Sequence, residues 1–115
     1  MIQLIKVGQL VFEKGELDAM QYFKWERPGV ITKVTDTHFT IINFENFKAT
    51  EYEKADYPTI EKDGSGWVKA GVNDCYKNQI WLWSGKEPAF IEFLKTQSDK
   101  KRTKIRKFIP DLVAA

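Results

Sequence analysis

One cysteine, one histidine and no apolar run approaching the roughly 18 residues of a bilayer span already narrow what this 115-residue chain can be. A lone Cys75 cannot form an internal disulfide, so a reducing interior is its natural setting. Its flanks, Asp74 and Tyr76, offer nothing to hold a thiolate, and Cys75 reads as a structural thiol. His38 falls in a hairpin connection, where a turn or edge role is expected, and a distant His and Cys make no nucleophile and base pair. Zinc-ligand spacing is absent. Asp63-Gly64-Ser65-Gly66 lacks the Lys-Ser/Thr that completes a phosphate-binding loop. Glu51 and Glu53 share a wet strand face, where both stay ionised and cannot divide acid and base work. The expectation is a protein that is not an enzyme, with no catalytic residue, no metal ligand and no cofactor. Met1 to Lys6 has neither the charged lead nor the long apolar core of a signal peptide. With no span either, a cytoplasmic location is expected.

What the chain does have is ordinary globular content: 43% hydrophobic and 30% charged residues, enough to bury one core and unlike a disordered polar tract. The net charge of +2 is too small to steer a partner by itself. Its distribution says more. Residues 1–65 carry 8 cations against 11 acids, a net −3, whereas residues 66–115 carry 10 against 5, a net +5. An acidic front half is tied to a basic back half.

The stretch from Gly29 to Tyr52 organises the front half. Val30, Ile31 and Val34 form one β-rich run and Phe39, Ile41, Ile42 and Phe44 another, separated by Thr35-Asp36-Thr37-His38, which reads as a hairpin. Thr50 to Glu53 alternates strictly and adds a third strand. Leu10-Val11-Phe12 predicts a compact strand closed by Lys14-Gly15. Glu16 to Pro28 is expected to be a loop rich in aromatics, and Pro28-Gly29 to hold a turn or bulge. The series Gly8-Gln9-Leu10-Val11, this loop, Pro28-Gly29-Val30-Ile31-Thr32-Lys33-Val34 and Phe39-Thr40-Ile41-Ile42-Asn43-Phe44 resembles the opening of an SH3-like small β-barrel, the layout of Tudor, PWWP and many phage and bacterial accessory domains. That resemblance implies a ligand groove between the long loop and the next hairpin, with Tyr22, Phe23, Trp25 and Arg27, together with Phe47, at its wall.

Asp56 to Gly66 is a run of turn residues, marking a boundary. Trp67-Val68 predicts a short strand. Val72, Cys75, Tyr76, Ile80 and Trp83 fit a helical period, yet Ile80-Trp81-Leu82-Trp83 is an equally good β run, so 72–83 stays open between helix and strand. Ser84 to Glu87 has capping-box spacing, and Pro88 suits a first helical turn. Phe90, Phe93 and Leu94, then Ile105, Phe108 and Ile109, predict a helical segment ended by Pro110. The expected architecture is one α+β domain: an SH3-like antiparallel barrel over 1–62, a turn-rich connection with a Trp-rich segment over 63–86, and C-terminal helix or helices over 87–109.

Six cations in Lys100-Lys101-Arg102-Thr103-Lys104-Ile105-Arg106-Lys107 are the strongest functional feature. With Ile105 and Phe108 turned to the body, Lys100, Lys101, Arg102, Lys104, Arg106 and Lys107 would face outward toward phosphates, binding with steep salt dependence and little sequence preference. Three alternatives compete: a solvated face, pairing with the acidic front half, and an anionic membrane surface or acidic protein. Tyr22, Phe23 and Trp25 beside Lys24 and Arg27 would stack bases or simply fill the core. The leading expectation is a nucleic-acid-binding or nucleoprotein accessory protein that contacts DNA or RNA. Its rival is a protein-interaction adaptor of phage or mobile-element type, acting through the barrel groove or through a Trp81 and Trp83 patch that would also favour a homodimer.

Overall fold

The computed structural model describes residues 5–18, 22–70, 76–83 and 88–108, with the side chains at 16–18, 22–25, 67–70 and 76–77 outside that description. Six strands make one antiparallel sheet: β1 (Leu10–Asp18), β2 (Tyr22–Val34), β3 (His38–Asn43), β4 (Ala49–Glu53), β5 (Ser65–Ala70) and β6 (Tyr76–Trp83). Their order across the sheet is β4-β3-β2-β1-β6-β5, and the sheet curls into a half-barrel. Among the described residues three helices accompany it, α1 (Ile60–Asp63), α2 (Pro88–Lys95) and α3 (Asp99–Phe108), which makes the α+β class plain.

The hairpin expected around residues 35–38 is present, with His38 opening β3 instead of lying in the turn. Elsewhere the front half departs from expectation. Leu10 to Asp18 pairs without a break against Val30 to Tyr22, so the described parts of the expected loop over Glu16–Pro28 are two strand arms, with 19–21 outside the description, and Tyr22, Phe23 and Trp25 lie on β2. Gly15 does not close the strand. It pairs with Trp25 on one side and Asn78 on the other, and ladders on both flanks outweigh the roughly 1 kcal/mol that glycine's backbone freedom costs. Pro28 sits one residue before the β3 ladder begins at Gly29, where its carbonyl accepts from the Phe44 N–H and its missing donor breaks no bond. The irregular step lies later, between Ile31 and Lys33. Gly29 is needed for closeness: a Cβ there would lie 2.7 Å from the Ile42 carbonyl oxygen.

The open segment 72–83 resolves as strand from Tyr76 onward; residues 72–75 lie outside the description. Neighbours decide it. β6 pairs with β1 on one side and β5 on the other, sending Ile80 and Leu82 to one face and Trp81 and Trp83 to the opposite one. The stretch expected as a connection thus supplies two of the six strands.

The sheet separates two cores. Val11, Ile31, Phe39, Ile41, Ile80 and Leu82 are buried on the inner face, closed by Ile5, Tyr57 and Ile60. Tyr57 lies flat enough against Gly66 that a Cβ there would come within 2.8 Å of its ring. Leu10, Val30, Phe44, Phe90 and Ile105 form the second core, where α2 and α3 pack across the outer face. Phe12 stacks on Trp83 with centroids 4.2 Å apart and ring planes 10° from parallel, extending that face toward Trp81. β1 is therefore buried on both sides from Leu10 to Glu13, which explains its unbroken apolar opening.

Candidate nucleic-acid interface

α3 begins where Ser98 interrupts the helical pattern. The Ser98 hydroxyl accepts from the Lys101 N–H at 3.3 Å, Asp99 stands in the first turn, and Arg106 and Lys107 stand in the last, each favourable to the helix dipole. Ile105 is fully buried, and Phe108 stacks on Phe47 at 6.3 Å, so one side of the helix is fixed to the β3–β4 turn and α2. That turn is itself held by Asn43, whose Oδ1 accepts the N–H groups of Glu45 and Asn46.

The six cations fall into two groups. Lys101 donates from Nζ to the Glu45 carbonyl at 2.8 Å. Arg102 donates from Nη1 to the Gln97 carbonyl at 2.8 Å, closing the end of α2, and pairs with Asp99 through Nη2. Lys104 holds its Nζ 4.2 Å above the Phe47 ring centroid while remaining exposed. Lys100, Arg106 and Lys107 are exposed and make no ion pair or hydrogen bond among the described residues. At 3.6 residues per turn, Lys107, Lys100 and Lys104 share an arc of about 60°, with Lys100 and Lys107 separated by about 10 Å along the axis. They form a cationic ridge on the side away from Ile105. Beneath it an open recess of about 460 Å³ is lined by Lys100, Thr103, Lys104, Lys107 and Phe108.

The expected groove residues do not join this ridge. Tyr22, Phe23 and Trp25 occupy the far arm of β2, paired with Asp18, Leu17 and Gly15, and their side chains lie outside the description. Arg27 turns toward the inner face, its Nε 3.4 Å from Oε1 of the buried Glu13. The Tyr52 hydroxyl donates to the other Glu13 oxygen. This Arg27–Glu13–Tyr52 network was not legible as a site, although a carboxylate one alternation beyond Val11 on an apolar strand is its signal. Burial lowers the Arg27 pKa, but the charge and hydrogen bond of Glu13, together with those of Tyr52, leave the guanidinium pKa raised. Nearby, Asn78 donates to the Tyr57 hydroxyl at 3.0 Å, with its own Oδ1 buried and unpartnered among the described residues.

Burial first, and the Glu13 charge next, push the Tyr52 phenol well above its ordinary value near 10. The folded chain then holds a proton that the unfolded chain releases, so Tyr52 contributes stability that is present below about pH 10 and lost as pH rises beyond it. The stability advantage of the parent over Tyr52→Phe is expected to shrink between pH 9 and 11, by at most about 1.4 kcal/mol per pH unit. Urea unfolding of both proteins across that range checks it; a constant difference counts against the network.

His38 rests at the sheet's outer side, with Nδ1 2.7 Å from the Thr37 hydroxyl and Nε2 3.7 Å from Glu53. Among the described residues no three His, Cys, Asp or Glu side chains are grouped to hold a metal, and no helix is long and apolar enough to cross a membrane. Cys75 lies outside them. Comparison of the chain with protein-family models, with curated proteins and with solved structures finds no match, so the reading of its role rests on the geometry of α3 and of the sheet beneath it.

Proposed function

We propose that this protein is a non-enzymatic nucleic-acid-binding or nucleoprotein accessory protein of the cytoplasm, with α3 as its contact surface. One observation carries the reading: the exposed Lys100, Lys104 and Lys107 ridge stands on a helix whose opposite side is anchored by Ile105, and no carboxylate among the described residues neutralises it. A ridge already paired with the acidic front half would be a structural device. Ammonium groups left without a carboxylate on a fixed support, Lys100 and Lys107 unengaged among the described residues and Lys104 resting on the Phe47 ring, instead release counterions from phosphates. The β1–β4 meander, with β6 returning beside β1, supports the SH3-like small-barrel likeness of the scaffold.

Lys100, Arg106 and Lys107 suit the test because none contributes a contact to the described fold. Their joint replacement by Gln is expected to lower affinity for mixed-sequence DNA or RNA on the order of 100-fold at low salt, and to reduce the salt slope by about 2.7 on duplex DNA or about 2.1 on a single strand. The melting temperature should stay within a few degrees of the parent. Fluorescence anisotropy across about 50–200 mM salt reads the first effect and a thermal melt the second. Unchanged affinity, or a parent that binds nothing at the lowest salt, removes the proposal.

A second reading has its own observation. Trp81 is 40% exposed beside the Phe12–Trp83 stack, on the sheet's outer face. That surface suits an adaptor of phage or mobile-element type, docking another protein or a second copy. Under this reading Trp81→Ser abolishes the association seen by sedimentation and leaves nucleic-acid binding unaltered.

A further inference from the structure

We infer that the α3 surface takes single-stranded nucleic acid in preference to duplex, seating an unstacked base in the recess while the ridge holds the flanking phosphates. This rests on the nucleic-acid reading above and narrows its ligand. The recess is open, about 460 Å³, and almost wholly apolar although, of the described residues that line it, all but Phe108 are polar by name. Lysine brings a hydrocarbon stem as well as a charge, which accounts for an apolar lining made largely by Lys100, Lys104 and Lys107. The Thr103 hydroxyl is engaged with the Asp99 carbonyl at 2.9 Å. Phe108 supplies an aromatic wall braced from behind by Phe47, 6.3 Å away at 24° between planes.

A duplex presents phosphates outside and keeps its base faces stacked on one another. It would meet the rim alone and leave the apolar floor facing water. A single strand offers both parts: a flat base for the floor and wall, and charges on either side for Lys100, Lys104 and Lys107. The volume falls within the roughly 300–1,000 Å³ of sites that bury small ligands, sufficient for one base with its sugar. Charge complementarity also favours this occupant over an apolar peptide, because three cations border the opening.

Three labelled DNA probes of equal length separate the outcomes: a mixed-sequence single strand, its annealed duplex, and a single strand in which abasic sites replace most nucleotides. At one fixed salt concentration the single strand is expected to bind the intact protein about tenfold more tightly than either of the others. Equal affinity for the single strand and the abasic strand means that phosphates alone are read, which overturns the recess and leaves the basic surface standing. Duplex binding as tight as single-strand binding does the same. Failure of all three probes to bind at low salt defeats the nucleic-acid reading itself.

Discussion

Phe90→Ala is expected to lower stability by about 3–5 kcal/mol, the cost of emptying a large aromatic site in a core that cannot fully collapse. Phe90 is completely buried and touches three rings: Phe44 at 6.3 Å, Trp83 at 6.2 Å and Phe93 at 6.5 Å between centroids. Phe44 belongs to the β3–β4 turn and Trp83 to the end of β6, so one side chain joins the helical pair to two distant parts of the sheet. Ile91 is its natural control, being the next residue and 42% exposed. Ile91→Ala should change stability by about 0.5 kcal/mol or less. Denaturant unfolding of the two variants therefore reports whether α2 and α3 are seated as described. A Phe90→Ala loss as small as that of Ile91→Ala would leave the ridge without its rigid support, because α3 is positioned through the same core.

The outer elements of this fold were legible because their signals are local. Phe39, Ile41 and Asn43 alternate with Thr40 and Ile42, and Glu51 and Glu53 alternate with Thr50 and Tyr52, so β3 and β4 declare their two faces within a few residues. Pro88, Phe90, Phe93 and Leu94 likewise mark α2. The strand arms of β1 and β2 beyond Glu13 and Arg27 were missed because charges interleaved with aromatics read equally well as a loop. Only pairing with Trp25 on β2, and with Asn78 on β6 far beyond, makes Gly15 a strand residue. Segment 76–83 shows the same dependence, since its composition is neutral between helix and strand until β1 and β5 flank it.

The site was legible only as a census of charge. Six cations are visible in the sequence, but nothing near them says that Lys101 will meet a carbonyl 56 positions earlier, or that Lys104 will sit over Phe47. The β3–β4 turn, through Glu45 and Phe47, engages Lys101 and Lys104, whereas Arg102 is held locally by Gln97 and Asp99. The recess escaped notice for a related reason. Lysine stems count as polar in any sequence reading, whereas the surface they present here is hydrocarbon.

Arg27→Met is expected to cost about 3 kcal/mol, although methionine keeps most of the apolar stem. Glu13 is 1% exposed, and removing the guanidinium leaves its carboxylate with the Tyr52 hydroxyl as its remaining bonded partner among the contacts described. The lower end of the range for broken buried pairs applies because the Arg27 side chain is itself 24% exposed. Pairing the substitution with Glu13→Leu separates two causes. If the penalty comes from the orphaned charge, the double variant should recover most of the loss, since apolar replacement of a whole buried pair is commonly neutral. If Arg27 matters instead by packing, the double variant should be worse than either single one. Recovery would also explain why the sheet tolerates a carboxylate between Val11 and Gly15 on its most buried strand: Arg27, directly across on β2, and Tyr52, on β4, satisfy its two oxygens.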